Sequence, residues 1–134
     1  VVAEPLDAYA MLSVIGKGSY AKVILVRRKD TGQLFAIKSM KKKYIEQKNQ
    51  VKRVMMEREI LTQIDHPFLI KIHSAFQDEK KIFLVLEYCQ GGELFGLLSK
   101  RKRLSELGKD YPMRARFYAA QIILALEYLH SKNI

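Results

Sequence analysis

The chain of 134 residues carries 24 Lys+Arg against 14 Asp+Glu, a formal net charge of +10, with 49% apolar and 28% charged residues. Those fractions exclude a disordered or collagen-like chain, and the length allows one ordinary domain, or one and a piece of another. A single cysteine, Cys89, excludes an internal disulfide framework and fits a reducing compartment. No apolar run exceeds five residues, Ile82–Leu86 among them, far short of the roughly 20 that a membrane-spanning helix needs. No basic-then-apolar leader opens the sequence, so the expected location is cytoplasmic or nuclear.

In chain order, Met11–Ile15, Lys22–Arg27 and Leu34–Met40 are rich in Val, Ile and Leu and read as strands. Lys29-Asp30-Thr31-Gly32 supplies the turn between the second and third. Residues 44–64 contain no Gly or Pro and read as one helix, which His66-Pro67 ends. Ile70–Phe76 and Lys81–Glu87 form a second hairpin around Gln77-Asp78-Glu79-Lys80. Gly91-Gly92 breaks the pattern, Glu93–Ser99 reads as a short helix, and Arg101–Tyr111 is a polar connection. Pro112 suits the first turn of a final helix that reaches about His130. The order predicts an α+β protein: a small lobe over residues 1–86 with a five-stranded antiparallel sheet and one main helix, a strap over 87–92, and the first helices of a helical lobe over 93–134.

The final helix is apolar around nearly its whole circumference, from Phe117 through Ile122, Ile123, Leu124 and Leu126 to Leu129. Such a helix belongs in a core. Either the natural protein continues past Ile134 or the helix packs against a second copy. Continuation is the expectation, and the 134-residue chain alone is expected to self-associate through Arg116–Leu129.

Two basic runs, Lys41-Lys42-Lys43 and Lys100-Arg101-Lys102-Arg103, account for part of the charge excess. A nucleic-acid or nuclear-import patch is one reading. A solvated face, or attraction for an anionic ligand such as a nucleotide, is the other and is favoured, because no RNA-binding aromatic motif or zinc-finger spacing accompanies the runs.

Gly16-Lys17-Gly18-Ser19-Tyr20-Ala21-Lys22-Val23 lies between two predicted strands. Glycines there would let backbone N–H groups approach phosphate oxygens with no Cβ in the way, although a Gly-x-Gly alone also marks a plain hairpin turn. A dinucleotide-binding fingerprint needs a helix after the glycines, and a P-loop needs Gly-Lys-Ser/Thr. Here a strand follows and that tripeptide is absent.

Lys38 ends Ala36-Ile37-Lys38 and shares a strand face with Ala36. A lysine facing inward must find an anion. Glu57 sits at the centre of a helical stripe of Val54, Ile60, Leu61 and Ile64, all within about 60° of it at 100° per residue. Pairing Lys38 with Glu57 satisfies both groups and would hold the lysine against the α- and β-phosphates of a nucleotide. The alternative leaves Glu57 as one more exposed charge in Glu57-Arg58-Glu59. Downstream, the extended strap around Glu87-Tyr88-Cys89 offers main-chain groups to the edge of an adenine. Glu93, at the start of a helix, could take a ribose hydroxyl or a basic substrate side chain, or simply complement the helix dipole. Cys89 reads as a small hinge residue, since nothing beside it in the sequence activates a thiol.

Taken together, Ile15-Gly16-x-Gly18-x-x-Ala21-x-Val23, Ala36-Ile37-Lys38, Glu57 and Leu86-Glu87-Tyr88 resemble, in order and spacing, the N-terminal part of a eukaryotic Ser/Thr protein kinase. His66-Pro67-Phe68-Leu69, Gly91-Gly92-Glu93-Leu94-Phe95 and Ala115–Gln121 are similar to the AGC group. The resemblance implies an ATP site. Ile15, Val23 and Ala36 would sandwich adenine, Leu86 would be the gatekeeper, and Glu87 and Cys89 would bond the base through their backbones. Residues Lys17, Ser19, Tyr20 and Lys22 would complete the loop over the phosphates. Lys38, held by Glu57, would orient those phosphates. Glu93 would face the ribose and an arginine of a protein substrate bearing Ser or Thr. Arg53 would contact a phosphorylated activation loop.

The resemblance further implies a hydrophobic-motif pocket at Val51, Met55 and Ile82, edged by Lys42 and Arg58. Packing against the segment 44–48 is an equal alternative for that patch. Mg²⁺ is implied as well, with no ligand assigned in this chain. Ala21 stands where a third glycine is usual. The catalytic-loop Asp and Asn and the Asp-Phe-Gly segment would follow Ile134, so the 134 residues alone are expected to be inactive. The rivals are a pseudokinase or scaffold that binds without turnover and, behind it, a basic nucleic-acid-binding domain.

Overall fold

The computed structural model describes residues 6–101 and 114–134. A short 3-10 turn, Leu6–Ala8, leads into five strands: β1 (Tyr9–Lys17), β2 (Ala21–Arg28), β3 (Leu34–Lys41), β4 (Ile72–Gln77) and β5 (Lys81–Glu87). They form one antiparallel sheet in the order β1-β2-β3-β5-β4. Two helices, α1 (Lys42–Gln47) and α2 (Val51–Gln63), lie between β3 and β4, and two more, α3 (Leu94–Arg101) and α4 (Arg114–Ser131), follow the sheet. The five-stranded sheet followed by helices matches the expected fold class. Pro112, Lys102, Arg103 and most of the expected polar connection lie outside the described residues.

The sheet has apolar side chains on both faces because its central strands alternate two apolar sets. Phe35 and Ile37 on β3 and Phe83 and Val85 on β5 point one way, where they join Val26 and Tyr9 in one buried cluster. The 3-10 turn covers part of this face with Leu6 and Ala8. Met40 on β3 and Leu84 and Leu86 on β5 point the other way and meet Ile45 of α1 and Val54 and Leu61 of α2. Central strands sandwiched between two such layers read as nearly continuous apolar runs, which is why β5 carries Ile82 to Leu86 without interruption.

One expectation is corrected. Residues 44–64 are not a single helix: α1 stops at Gln47, and α2 starts at Val51. Asn49 lies in the left-handed region with φ 52°, and its N–H donates to the Glu46 carbonyl. Asparagine tolerates that conformation better than other non-glycine residues, so the chain turns with neither Gly nor Pro to announce it. The break lets Ile45 and Val54 face the same layer from two helices. β4 also starts at Ile72 rather than Ile70, with a bulge between Ile72 and Ser74.

Two compact units divide the chain. One comprises residues up to Asp65 with Ile70–Tyr88, the other His66–Leu69 with Cys89–Ile134. Within the second unit, the His66 ring stacks on Tyr128 of α4 with centroids 5.1 Å apart. The Phe68 N–H donates to His66 Nδ1 at 3.2 Å. Among the described residues no helix is long and apolar enough to cross a membrane.

Candidate active site: a lysine–glutamate pair beneath a glycine hairpin

The β1–β2 hairpin closes with the Gly18 N–H donating to the Ala21 carbonyl at 2.8 Å. Gly18 and Ser19 are exposed at its tip. The need for glycine is local to Gly16, which pairs with Val23: a Cβ there would lie 3.3 Å from the Val23 Cβ, closer than side chains normally pack. At Gly18 an added Cβ would meet only the Ala21 oxygen at 3.7 Å, an ordinary contact. Packing within the fold therefore does not itself call for glycine at position 18. A bulge between Val14 and Gly16 leaves Ile15 out of the pairing register and exposed.

Register decides which loop and strand side chains share a face. Val23 pairs with Lys38 and Ala36 pairs with Leu86, so these four side chains look toward the layer that holds α2. Lys38 Nζ donates to Glu57 Oε1 at 2.5 Å, with the two side chains 21% and 32% exposed. The pair is half-buried, so its attraction is less screened than that of a surface pair. Neighbouring Lys22 and Ser39 pair with each other on the opposite face. There Lys17, Lys22, Lys41 and Lys81 line a hollow of about 290 Å³ together with Tyr44. Contact between Lys22 and a ligand beside Lys38 would therefore run through its backbone. The alternation of Lys22 with Val23 and of Ser39 and Lys41 with Lys38 was a legible signal for this basic hollow, which the sequence reading did not draw.

The strap begins at the end of β5. Leu86 is buried and Glu87 exposed. Cys89 and Glu93 belong to the second unit and are described within it. Cys89 is an exposed free thiol whose carbonyl accepts from Gly92, a glycine with φ +74° that turns the chain. Glu93 immediately precedes α3, and its carbonyl accepts from the Gly96 N–H at 3.0 Å. Its position favours an acid on dipole grounds.

On the other side of α2, Val51, Met55 and Ile82 line one cavity of about 140 Å³ with Lys42 at its edge. Ile45 of α1 forms a wall of that cavity, so the patch packs in part against the segment 44–48. Even so, Val51 stays 48% and Met55 51% exposed. Arg58 lines an adjoining hollow with Met55, Ile82 and Phe76. Arg53 is exposed one turn before Glu57.

Perturbed acids lie in turns and ion pairs away from this site. Asp65 is held below the ordinary carboxylate range by a hydrogen bond and ion pair with Lys71, 2.6 Å away, and Lys71 is raised in return. The Lys80 N–H lowers Asp78, whose carboxylate closes the β4–β5 turn by also accepting from Lys81. Among the described residues no group of three or more His, Cys, Asp and Glu side chains converges on a metal position.

Residues 9–134 match the protein kinase domain family. The chain is 44% identical over 126 residues to the RAC family serine/threonine-protein kinase homolog of Dictyostelium discoideum, covering 94% of this chain and 27% of that protein. It is 47% identical over 124 residues to the serine/threonine-protein kinase sgk-1 of Caenorhabditis elegans, covering 92% and 26%. With human serine/threonine-protein kinase Sgk2 it shares 44% over 133 residues, covering 98% and 34%. The chain thus spans about a quarter to a third of the length of these curated relatives. Sheet topology, glycine hairpin, lysine–glutamate pair and matching residues lead to one assignment: the chain belongs to the protein kinase domain family.

Proposed function

We propose that this chain forms the ATP-binding portion of a Ser/Thr protein kinase that transfers the γ-phosphoryl group of ATP to Ser or Thr hydroxyls of proteins. The observation that carries this reading is the 2.5 Å contact between Lys38 and Glu57 on the face of the sheet shared by Val23 and Ala36. A cation held at a fixed place by a carboxylate is pre-organised: it orients polyphosphate oxygens without paying reorganisation at the moment of reaction. The residues present fit an adenine nucleotide. Gly16 and Gly18 leave room at the hairpin, Val23, Ala36 and Leu86 offer an apolar surface to the base, and Lys38 meets phosphate. ATP brings Mg²⁺, which neutralises charge between the β- and γ-phosphates; no described residue is assigned to that ion. Glu93 suits a ribose hydroxyl or a substrate arginine, and Arg53 suits a phosphorylated loop. The cavity at Val51, Met55 and Ile82, with Lys42 at its edge and Arg58 in the adjoining hollow, suits an apolar peptide segment flanked by acid or phosphate.

Lys38→Met tests the reading. In the full-length protein it is expected to lower phosphoryl transfer on the order of 10²–10³-fold, the usual cost of losing one pre-organised electrostatic contact. Circular dichroism and thermal midpoint should stay close to wild type. Undiminished transfer of phosphate from labelled ATP to a basic Ser/Thr peptide would refute it.

A further inference from the structure

The open ends of β4 and β5 meet at Lys71 and Glu87. At a hydrogen-bonded position of a regular antiparallel ladder, facing residues exchange both main-chain bonds, each N–H going to the other's carbonyl. Half of that exchange is present: the Glu87 N–H donates to the Lys71 carbonyl at 3.0 Å. The return bond is different. The Lys71 N–H donates to Glu87 Oε1, also at 3.0 Å. The side chain of Glu87 has taken the bond that the ladder would give to its own main-chain carbonyl. Lys71 is in turn anchored by its ammonium to Asp65 Oδ1 at 2.6 Å, just beyond the end of α2.

We propose that Glu87 is a positioning residue: its carboxylate, by accepting the Lys71 N–H, withholds the ladder from the Glu87 carbonyl and leaves that carbonyl to accept a hydrogen bond from the amino group of an adenine. The proposal rests on the nucleotide reading above and adds a role for a side chain whose backbone alone entered that reading. A carbonyl so released sets selectivity as well as affinity. Adenine presents an amino donor at its six-position, whereas guanine presents an oxygen there, which a carbonyl repels. If Glu87 loses its carboxyl group, the Lys71 N–H falls back onto the carbonyl and competes with the base. Glutamine keeps an oxygen acceptor at the same reach and should preserve the arrangement. Proline at position 71, just ahead of β4, has no N–H to give, so it should free the carbonyl whatever residue 87 carries.

The test measures dissociation constants for ATP and GTP by calorimetry on the full-length protein, as wild type, E87Q, E87A and the E87A/K71P double variant. Wild type should prefer ATP. E87Q should keep the ATP:GTP ratio within about twofold. E87A should cut that ratio about five- to tenfold, mainly by weakening ATP, the scale of one neutral hydrogen bond. E87A/K71P should recover most of the loss. An E87A protein with an unchanged ratio overturns the proposal. So does one that loses both nucleotides equally, since a merely structural clamp predicts that. Should E87A fail to fold, the double variant and E87Q still decide: both must hold the wild-type ratio. Wild-type protein that binds neither nucleotide would overturn the ATP reading itself, whereas ATP binding that Lys38→Met weakens and Glu87→Ala leaves alone would remove this inference only.

Discussion

The sheet unit and the helical unit treat apolar surface in opposite ways. In the sheet unit Ile37, Met40, Leu84 and Val85 are fully buried, and each face of the sheet carries its own buried cluster. In α4, Ala125 is the one buried apolar residue among those described, while Phe117 and Ile123 are 62% and 63% exposed. Exposed apolar area of that kind is uncommon on a surface that stands alone. The sheet unit therefore carries its stability in its own contacts, and α4 carries a demand for something else to cover it.

The comparison can be broken most forcefully from inside the sheet. Leu84→Ala removes a fully buried side chain from the layer under α2 and should cost about 2–5 kcal/mol in urea unfolding. A smaller loss would mean that this layer is loosely packed. Asn49→Val is expected to cost about 1–2 kcal/mol, because a β-branched residue resists positive φ, whereas Asn49→Gly should be near neutral. Equal effects of the two would deny that φ is the reason for the helix break.

Two further changes bear on the exposed surfaces. Ile123→Glu should leave unfolding within about 0.5 kcal/mol, as exposed positions usually do. It should nonetheless shift the 134-residue chain from associated species to monomer in sedimentation velocity. A wild-type chain that is already monomeric would erase the contrast between the units.

The smallest effect concerns Asp65. Its carboxyl titrates below the ordinary range in the folded chain because Lys71 pairs with it. That contribution is present above the ordinary aspartate range and lost as pH falls through the folded value. Wild type and Asp65→Asn should differ slightly in urea midpoint at about pH 6 and converge at about pH 2. A gap that widens on acidification would reverse the sign.

Much of this was legible in the sequence, for physical reasons that differ by element. The strands announced themselves through Val, Ile and Leu runs between turn residues, and all five are present. Two separate periodicities, one placing a cation on the Ala36 face and one placing an acid in an apolar stripe, left the Lys38–Glu57 contact as one of two readings, and the glycine loop upstream favoured it. What stayed hidden was set by single torsions and single bonds. Asn49 ends a helix through a backbone angle that its residue type only permits. The bulges that displace Ile15 and His73 from the ladder have no compositional mark. The Glu87 carboxylate takes a main-chain bond that no pattern of residue types encodes.

The double-sided burial of β3 has a consequence for how the chain finds its alignment. A strand that is greasy on both faces gives little penalty for sliding one residue along its neighbour. Phe35, Ala36, Ile37 and Met40 would each be tolerated on either side. Lys38 would not: slipped by one, its ammonium would enter the layer of Tyr9, Val26 and Phe83 and lose its contact with Glu57. Lys38, held by Glu57, thus also acts as the alignment mark of the nascent sheet.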